Sequence, residues 1–374
     1  MTTPPQPPQT RPPFAPSTEP RSLHLAWATF QRRQVSMATL VDMECVFLPL
    51  AYKGRSHLRR AWAYLALAWR TWHVLAQRQP QDLWLQLPQV PLLWVALLYR
   101  LLARHPVRLV ADCHNAMFRP PWSHIPFGVS ALARCDLVVV HNDDVLRQAQ
   151  TLGLPGERLR VLEDVPPLRA AGHPEPPVPA WLAGRPRPWV LFPGSYGADE
   201  PVAQVLQAAR QLRGPGTVII TGRRSNAAKN GHLIDEVPHN VRLTDYLPLA
   251  EFDALLFHCD VVLALTRFDG IQLSVCNEAL GFARAMVMSD TPLLCRLFSA
   301  AAVAVDSSDP AALVRGIDAA TQRRQELELL AARLAVRRRE AWLLGPWRAC
   351  RHHYQDDHQD DHRDDGPARR AEAV

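Results

Sequence analysis

Short apolar runs alternate with longer stretches of helical period along most of the chain. In the first half, Leu23–Thr29, Cys45–Leu50, Asp82–Gln86, Leu109–Ala111, Leu137–Val140 and Leu159–Leu162 read as strands. Between them, Gln31–Leu40, His57–Gln77 and Val90–Arg104 carry the period of helices, and His141-Asn142-Asp143-Asp144 caps a further helix through Gln150. The second half repeats the pattern, with strands at Trp189–Phe192, Thr217–Thr221, Val241–Leu243, Val261–Leu265, Ala285–Met288 and Val303–Val305. Helices are expected over Val202–Leu212, Leu249–His258, from Ser274, over Pro310–Ala320, and over Gln325–His353. Strands separated by helices in regular alternation predict parallel sheets and an α/β class.

At 374 residues the chain is too long for one ordinary core. The proline-dense stretch from Glu163 to Pro188 marks the break between two domains. The expected division is a disordered proline-rich tail (1–21), a Rossmann-like domain (22–163), a linker (164–188), a second Rossmann-like domain (189–335), a helix crossing back (336–354), and a disordered acidic tail (355–374). The tail motif QDDHQDDHRDD has no apolar partner, so a metal site is not expected from it. Apolar residues make up 48 % of the chain, enough for two packed cores. The net charge of +6 comes from scattered arginines with only a few lysines, and no zinc spacing or aromatic-interleaved basic motif accompanies it. Nucleic acid is therefore not an expected partner. The seven cysteines are isolated and mostly in apolar runs, as small buried hydrophobes in a reducing compartment would be. Without a leader pattern or an apolar span of about twenty residues, the expectation is a cytoplasmic protein, with association at the inner face of a membrane as a further option.

The stretch from Val261 to Ser289, flanked by Asp260 and Asp290, is one βαβ unit: a buried strand, a loop holding Asp269 and Gly270, a helix from Ser274, and a second apolar strand. A helix starting just past a strand directs unpaired N–H groups and the positive end of its dipole into the crevice above the sheet. Glu278 sits one turn further along, placed for neutral hydroxyls such as those of a ribose.

This unit, ending in Ser289-Asp290-Thr291-Pro292, resembles the nucleotide-sugar site of the GT-B glycosyltransferases, whose two Rossmann-like domains face each other across a cleft. In the family-4-like group (glycosyl transferases group 1) the loop reads Glu-Gly-Phe-Gly and a second Glu follows the first by eight positions. Here Asp269 stands first and Glu278 comes nine later. The resemblance implies that Glu278 holds the donor ribose and that Gly270, Gln272, Leu273 and Ser274 approach the diphosphate. It implies that Asp269 holds sugar hydroxyls or acts as a base. Asp112-Cys113-His114-Asn115 resembles a motif of β-mannosyltransferase-like enzymes, which makes His114 a candidate to contact the sugar or orient the acceptor hydroxyl. Pro193-Gly194-Ser195-Tyr196-Gly197-Ala198-Asp199-Glu200 resembles the same branch, with Gly194 and Ser195 allowing close phosphate approach. The Arg/Lys pair usual near that loop is missing; Gly222, Arg223, Arg224 and Lys229 stand in its place, Arg223 foremost. In relatives the loop carrying Tyr246 and Leu247 lies beside the base. DSSDPAALVRGI resembles the closing segment of such donor domains.

The implied activity is transfer of a sugar from a nucleotide-diphosphate sugar to a hydroxyl acceptor, which could be a glycan, a lipid-linked species or a small molecule. It needs no cofactor and no bound metal, since helix ends and cations stabilise the leaving diphosphate. Glu278 points to retaining relatives and the Asp112 and Gly194 motifs to inverting ones. A sugar-nucleotide 2-epimerase of the same architecture and a silent binding scaffold are the alternatives. Where relatives carry a glycine-rich loop after the first strand, this chain has Phe30-Gln31-Arg32-Arg33-Gln34, so Arg32 and Arg33 either meet an anionic acceptor or form a solvated first turn. In His57–Gln77, the tryptophans Trp62, Trp69 and Trp72 with Arg59, Arg60 and Arg70 are read as core packed on the sheet; exposed tryptophans would instead indicate a surface resting on a bilayer.

Overall fold

The computed structural model describes residues 22–52, 54, 56–169, 174–232, 234 and 236–351. Both expected tails, with the histidine-bearing acidic motif, lie outside the described residues. The first half runs β1 (Ser22–Ala26), α1 (Arg32–Val41), β2 (Glu44–Phe47), α2 (His57–Arg78), β3 (Asp82–Leu87) and α3 (Val90–Leu102). It continues through β4 (Arg108–Cys113), α4 (Gly128–Leu132), β5 (Leu137–Val140), α5 (Asp143–Thr151) and β6 (Leu159–Val161). The second half runs β7 (Trp189–Phe192), α6 (Val202–Gln211), β8 (Thr217–Thr221), α7 (Arg224–Lys229), β9 (Val241–Asp245) and α8 (Leu249–His258). After these come β10 (Val261–Ala264), α9 (Ser274–Gly281), β11 (Ala285–Ser289), α10 (Pro292–Phe298), β12 (Ala302–Val305), α11 (Pro310–Gln322) and α12 (Arg324–Trp342).

Among the described residues these strands form two six-stranded sheets, ordered β2-β1-β3-β4-β5-β6 and β12-β11-β10-β7-β8-β9. Every neighbouring pair is parallel. Strands β3, β4, β5, β7, β8, β10 and β11 are buried along their whole length, because helices cover both faces. Counted from β7, the second sheet has the Rossmann order 3-2-1-4-5-6, and the first begins 2-1-3-4-5. Both orders create a switch point where connections leave in opposite directions and open a crevice at the strands' carboxyl ends. The crevice lies between β1 and β3 in one domain and between β7 and β10 in the other.

A buried ionic knot secures α1 to the first sheet. Arg33 is only 5 % exposed. Its Nε donates to both carboxylate oxygens of Asp112 (3.1 and 3.0 Å), Nη1 to Asp164 Oδ1 (2.6 Å) and Nη2 to the carbonyl of Leu162 (2.8 Å). Gln34 Nε2 adds a bond to Asp112 at 3.3 Å, and the imidazoles of His24 and His141 stand 3.6 Å from it. Burial alone would raise the Asp112 pKa, but Arg33 and His141 outweigh it and hold the carboxyl well below its usual range. The reading of Arg33 as a surface residue facing an acceptor or solvent is therefore overturned.

The chain end returns to the first domain. Trp342 and Trp347 stack 5.2 Å apart, and Trp347 lies 5.2 Å from Trp84 of β3. Between them the helix widens over Leu343–Trp347, where Pro346 lacks the N–H that a regular turn would use. Trp342 Nε1 donates to the carbonyl of Glu163 (3.0 Å), and Arg338 pairs with the Glu163 carboxylate (3.0 Å).

Removing one member of a buried ion pair strands the other's charge, so Arg33→Met should lower unfolding stability by about 3–5 kcal/mol in urea titration. A loss under about 1 kcal/mol, the range of an exposed pair, would show that Arg33 is solvated.

Candidate functional site

The β7–β10 switch point is built from two loops tied to each other. Arg267 donates its N–H to the Asp199 carbonyl (2.8 Å), Thr266 Oγ1 donates to the Asp199 carboxylate (3.1 Å), and Arg267 Nη2 reaches the carbonyl of Ala198 (3.0 Å). Within the loop after β7, Glu200 accepts from the Ser195 N–H (2.9 and 3.0 Å) and hydroxyl (2.8 Å), so Ser195 is engaged inside its own turn. Gly194 and Gly222 meet back to back. Gly222 has a φ of +112°, and a Cβ there would lie 2.3 Å from the Gly194 carbonyl oxygen, so only glycine fits. Beside them the Arg223 guanidinium stacks on the exposed ring of Tyr246, 4.6 Å from its centroid, while Leu247 is tucked against the core below.

The loop from Thr266 to Leu273 leaves the second sheet and reaches the first domain. Asn142 Nδ2, at the cap of α5, donates to the Gly270 carbonyl (3.2 Å). Gly270 adopts a φ of +70°, and a Cβ there would come 3.1 Å from Asp144 Oδ2. Asp269 and Gly270 line a cavity of about 320 Å³ with Arg119, Asp144, Val145 and Gln148, so the space lies between the domains. Arg119 is exposed and forms no ion pair among the described residues.

Helix α9 follows this loop. Leu273, extended and half-buried, occupies its N-cap and supplies no side-chain cap, and Ser274 is exposed at its first turn. The carboxamides of Gln272 and Asn277, on either side of that first turn in sequence, are buried without a hydrogen-bond partner among the described residues. Buried amides in native structures find partners, so these two are available to a ligand or to water.

Glu278 is 7 % exposed and meets a side chain from the other domain. Arg32, the first residue of α1, donates Nε to Glu278 Oε1 (3.1 Å) and Nη1 to Asp253 Oδ2 of α8 (3.3 Å), with a second bond from Nη2 to Asp253. Burial raises the Glu278 pKa, and Arg32 opposes part of that rise. Arg32 is thus neither an acceptor ligand nor a solvated turn in this structure.

His114, just past β4, is half-buried with Nε2 2.7 Å from Gln86 Nε2 and its ring 4.4 Å from that of His141. It is not among the residues lining the Asp269 cavity. Burial, with His141 beside it, lowers its pKa to about 3, and burial lowers that of His24 to about 4. Both imidazoles are neutral at pH 7.

The sequence pattern singled out the donor-domain loops but not Arg119, Asn277 or Asp253. No short-range signal marks them, because each matters through a neighbour brought close by the fold.

No family model matches the chain, and no curated protein matches its sequence. Solved structures do resemble it. HepE from Anabaena, in complex with UDP-glucose, aligns over 85 % of this chain and 95 % of its own with a TM-score of 0.59 at 12 % identity. Sucrose-phosphate synthase from Thermosynechococcus elongatus aligns over 90 % of this chain and all of its own (100 %), with a TM-score of 0.61 at 12 % identity. The chain has the GT-B fold. A candidate UDP-N-acetylglucosamine 2-epimerase from Listeria monocytogenes shares the GT-B arrangement over 84 % of this chain and 91 % of its own, with a TM-score of 0.53 at 13 % identity. At such identities the likeness carries the GT-B architecture alone.

The bridge between the GT-B domains is open to a direct test. A double-mutant cycle of Arg32→Met and Glu278→Gln should return a coupling energy within about 0.5–3 kcal/mol; additive losses would mean that the contact does not persist in solution. Stability should also depend on pH in a defined direction. Below pH 6.5 the unfolded chain binds protons on His24 and His114 that the folded chain refuses until about pH 4 and about pH 3, so unfolding becomes easier as pH falls through that window. The lowered Asp112 and Asp164 carboxyls act in the same sense at the acid end, where their contribution is lost as pH drops through their folded values. A melting temperature that stays level from pH 6.5 to 4 would rule out the burial of both imidazoles.

Proposed function

We propose that the protein is a glycosyltransferase that moves a sugar from a nucleotide-diphosphate sugar to a hydroxyl acceptor. The observation carrying this reading is the start of α9. A helix N-terminus without a side-chain cap follows the switch-point loop whose Asp269 and Gly270 line the interdomain cavity, with the unpartnered buried carboxamides of Gln272 and Asn277 at its start. Free N–H groups and a positive dipole end suit the oxygens of a diphosphate, whose charge grows as the sugar leaves. In this reading the Ser274 region and Gln272 bind the phosphates, with Arg223 and Arg119 as the mobile cations nearby. Tyr246 and Leu247 flank the base and Gly194 and Gly222 give room beside it.

Glu278 accepts from the ribose hydroxyls, and Arg32 shares or yields that carboxylate when donor arrives. Asp269, exposed at the cavity, holds sugar hydroxyls or takes the acceptor proton. Neutral His114 orients groups by hydrogen bonding, and its low pKa makes it a poor reservoir for a proton at pH 7. The GT-B relatives solved with UDP-glucose, and with UDP and glucose, support a nucleotide sugar as the ligand class. A second reading, a sugar-nucleotide 2-epimerase, is favoured by the Listeria relative.

Melting the protein against a panel of nucleotide sugars should identify one that adds about 2.7 kcal/mol when present at about 100 times its Kd. Glu278→Ala should weaken that binding at least tenfold, while Trp62→Ser, on the exposed outer face of α2, should not. Stabilisation by no nucleotide sugar would leave only the scaffold alternative, and isomerisation of the sugar without any acceptor would convert the assignment to an epimerase.

A further inference from the structure

We propose that α2 and α3 form a face that seats on an anionic lipid bilayer. The expectation that the α2 tryptophans are core fails: Trp62 is 71 % and Trp69 64 % exposed, and only Trp72 is half-buried. Leu58, Trp62, Leu65 and Trp69 follow one another at spacings of four, three and four, so they share a single exposed stripe. The opposite side, with Leu67, Thr71 and Leu75, is buried in the first domain's core. Helix α3 repeats the arrangement. Val90, Leu92, Leu93 and Ala96 face inward, while Trp94, Leu98, Leu101 and Leu102 are exposed.

The two helices lie side by side: the Tyr99 ring meets Trp72 edge-on at 5.7 Å and its hydroxyl donates to the Leu75 carbonyl (3.1 Å). Eight large apolar side chains are therefore presented on neighbouring helices, more than scattered surface hydrophobes would account for. Phe127, fully outside the core, sits one residue before Gly128, which abuts Val90 at the start of α3 and extends the face.

Charge decides the occupant. No aspartate or glutamate occurs from Cys45 to Gln81, nor from Leu83 to Ala111. Within those stretches Arg59, Arg70 and Arg104 are exposed and form no ion pair among the described residues. A second copy docked through the same face would set Arg59, Arg70 and Arg104 against one another, because a twofold contact mates a patch with itself and the acids that reach these helices, Glu44 and Asp136, are already paired with Arg78 and Arg100. An anionic bilayer supplies both missing complements, negative headgroups for the arginines and an interfacial layer that favours tryptophan. No described helix is long and apolar enough to cross a membrane, so the face lies on the bilayer. Both helices begin at the carboxyl edge of the first sheet, the edge turned to the cleft, so the bilayer would adjoin the cleft mouth. The contact itself does not rest on the glycosyl-transfer reading.

The test is flotation of the full chain with vesicles of phosphatidylcholine alone or with one third phosphatidylglycerol. Binding is expected to the anionic vesicles, with a blue shift of tryptophan emission, and to weaken about fivefold for each of Arg59→Gln and Arg70→Gln. Trp62→Ser with Trp69→Ser should cut binding at least tenfold while leaving the melting temperature and nucleotide-sugar stabilisation unchanged, since both rings are already in solvent. Failure to float with anionic vesicles overturns the proposal. So does flotation that survives the tryptophan pair, or a sedimentation result in which that pair dissolves a dimer and vesicles bind neither form.

Discussion

The guanidinium of Arg33 is the constraint on which the first domain's geometry rests. An arginine cannot discard its proton to escape a dry interior, so the surrounding structure must satisfy it completely. Here Asp112 at the end of β4, Asp164 after β6 and the Leu162 carbonyl all converge on it. Two strand ends and one helix therefore cannot shift independently. Once α1 is held this way, the preceding residue has no freedom of its own. Arg32 is aimed out of the domain and across the cleft at Glu278 and Asp253. Two adjacent arginines thus do different work: the first joins the halves of the molecule, and the second anchors the half from which it comes.

The same arrangement connects electrostatics to ligand chemistry. A carboxylate as enclosed as Glu278 would be costly without a counter-charge. Arg32 supplies that charge from the other domain, so the acid keeps its counter-charge only while the domains are close. Two further arginines of the candidate site, Arg119 and Arg223, are exposed. The uncapped start of α9 and the unpartnered Gln272 and Asn277 carboxamides are neutral donors enclosed by the fold, whereas these two arginines lie in solvent.

Much of the architecture was legible in the residues. Strands β5, β7 and β8 begin and end where the apolar runs do, because a strand buried on both faces is apolar at most positions. Helix α8 likewise keeps the limits its pattern implied. The readings that failed concern which neighbour a side chain meets. In α2 the segment Ala61-Trp62-Ala63-Tyr64-Leu65-Ala66-Leu67-Ala68-Trp69 is apolar nearly all the way round, so periodicity alone could not tell the sheet-facing stripe from the exposed one. Arg33 meets acids 79 and 131 positions away, and Arg32 an acid 246 positions away. Such pairings depend on strand order and domain approach, which no local window contains. The loops of the donor domain were recognisable as glycine-bearing turns at strand ends, but not the extent to which Glu200 and Asp199 already occupy their polar groups.

The return of the chain end to the first domain has a mechanical consequence. The polypeptide passes between the lobes near Glu163 on the way out and through α12 on the way back, and both passages meet where Arg338 and Trp342 grip Glu163. Two covalent crossings fastened at one spot give any relative rotation of the lobes a natural centre. A rotation about it would displace the lobes least beside Glu163 and most at the far rim. Contacts at that rim would therefore be the first that such a rotation makes or breaks.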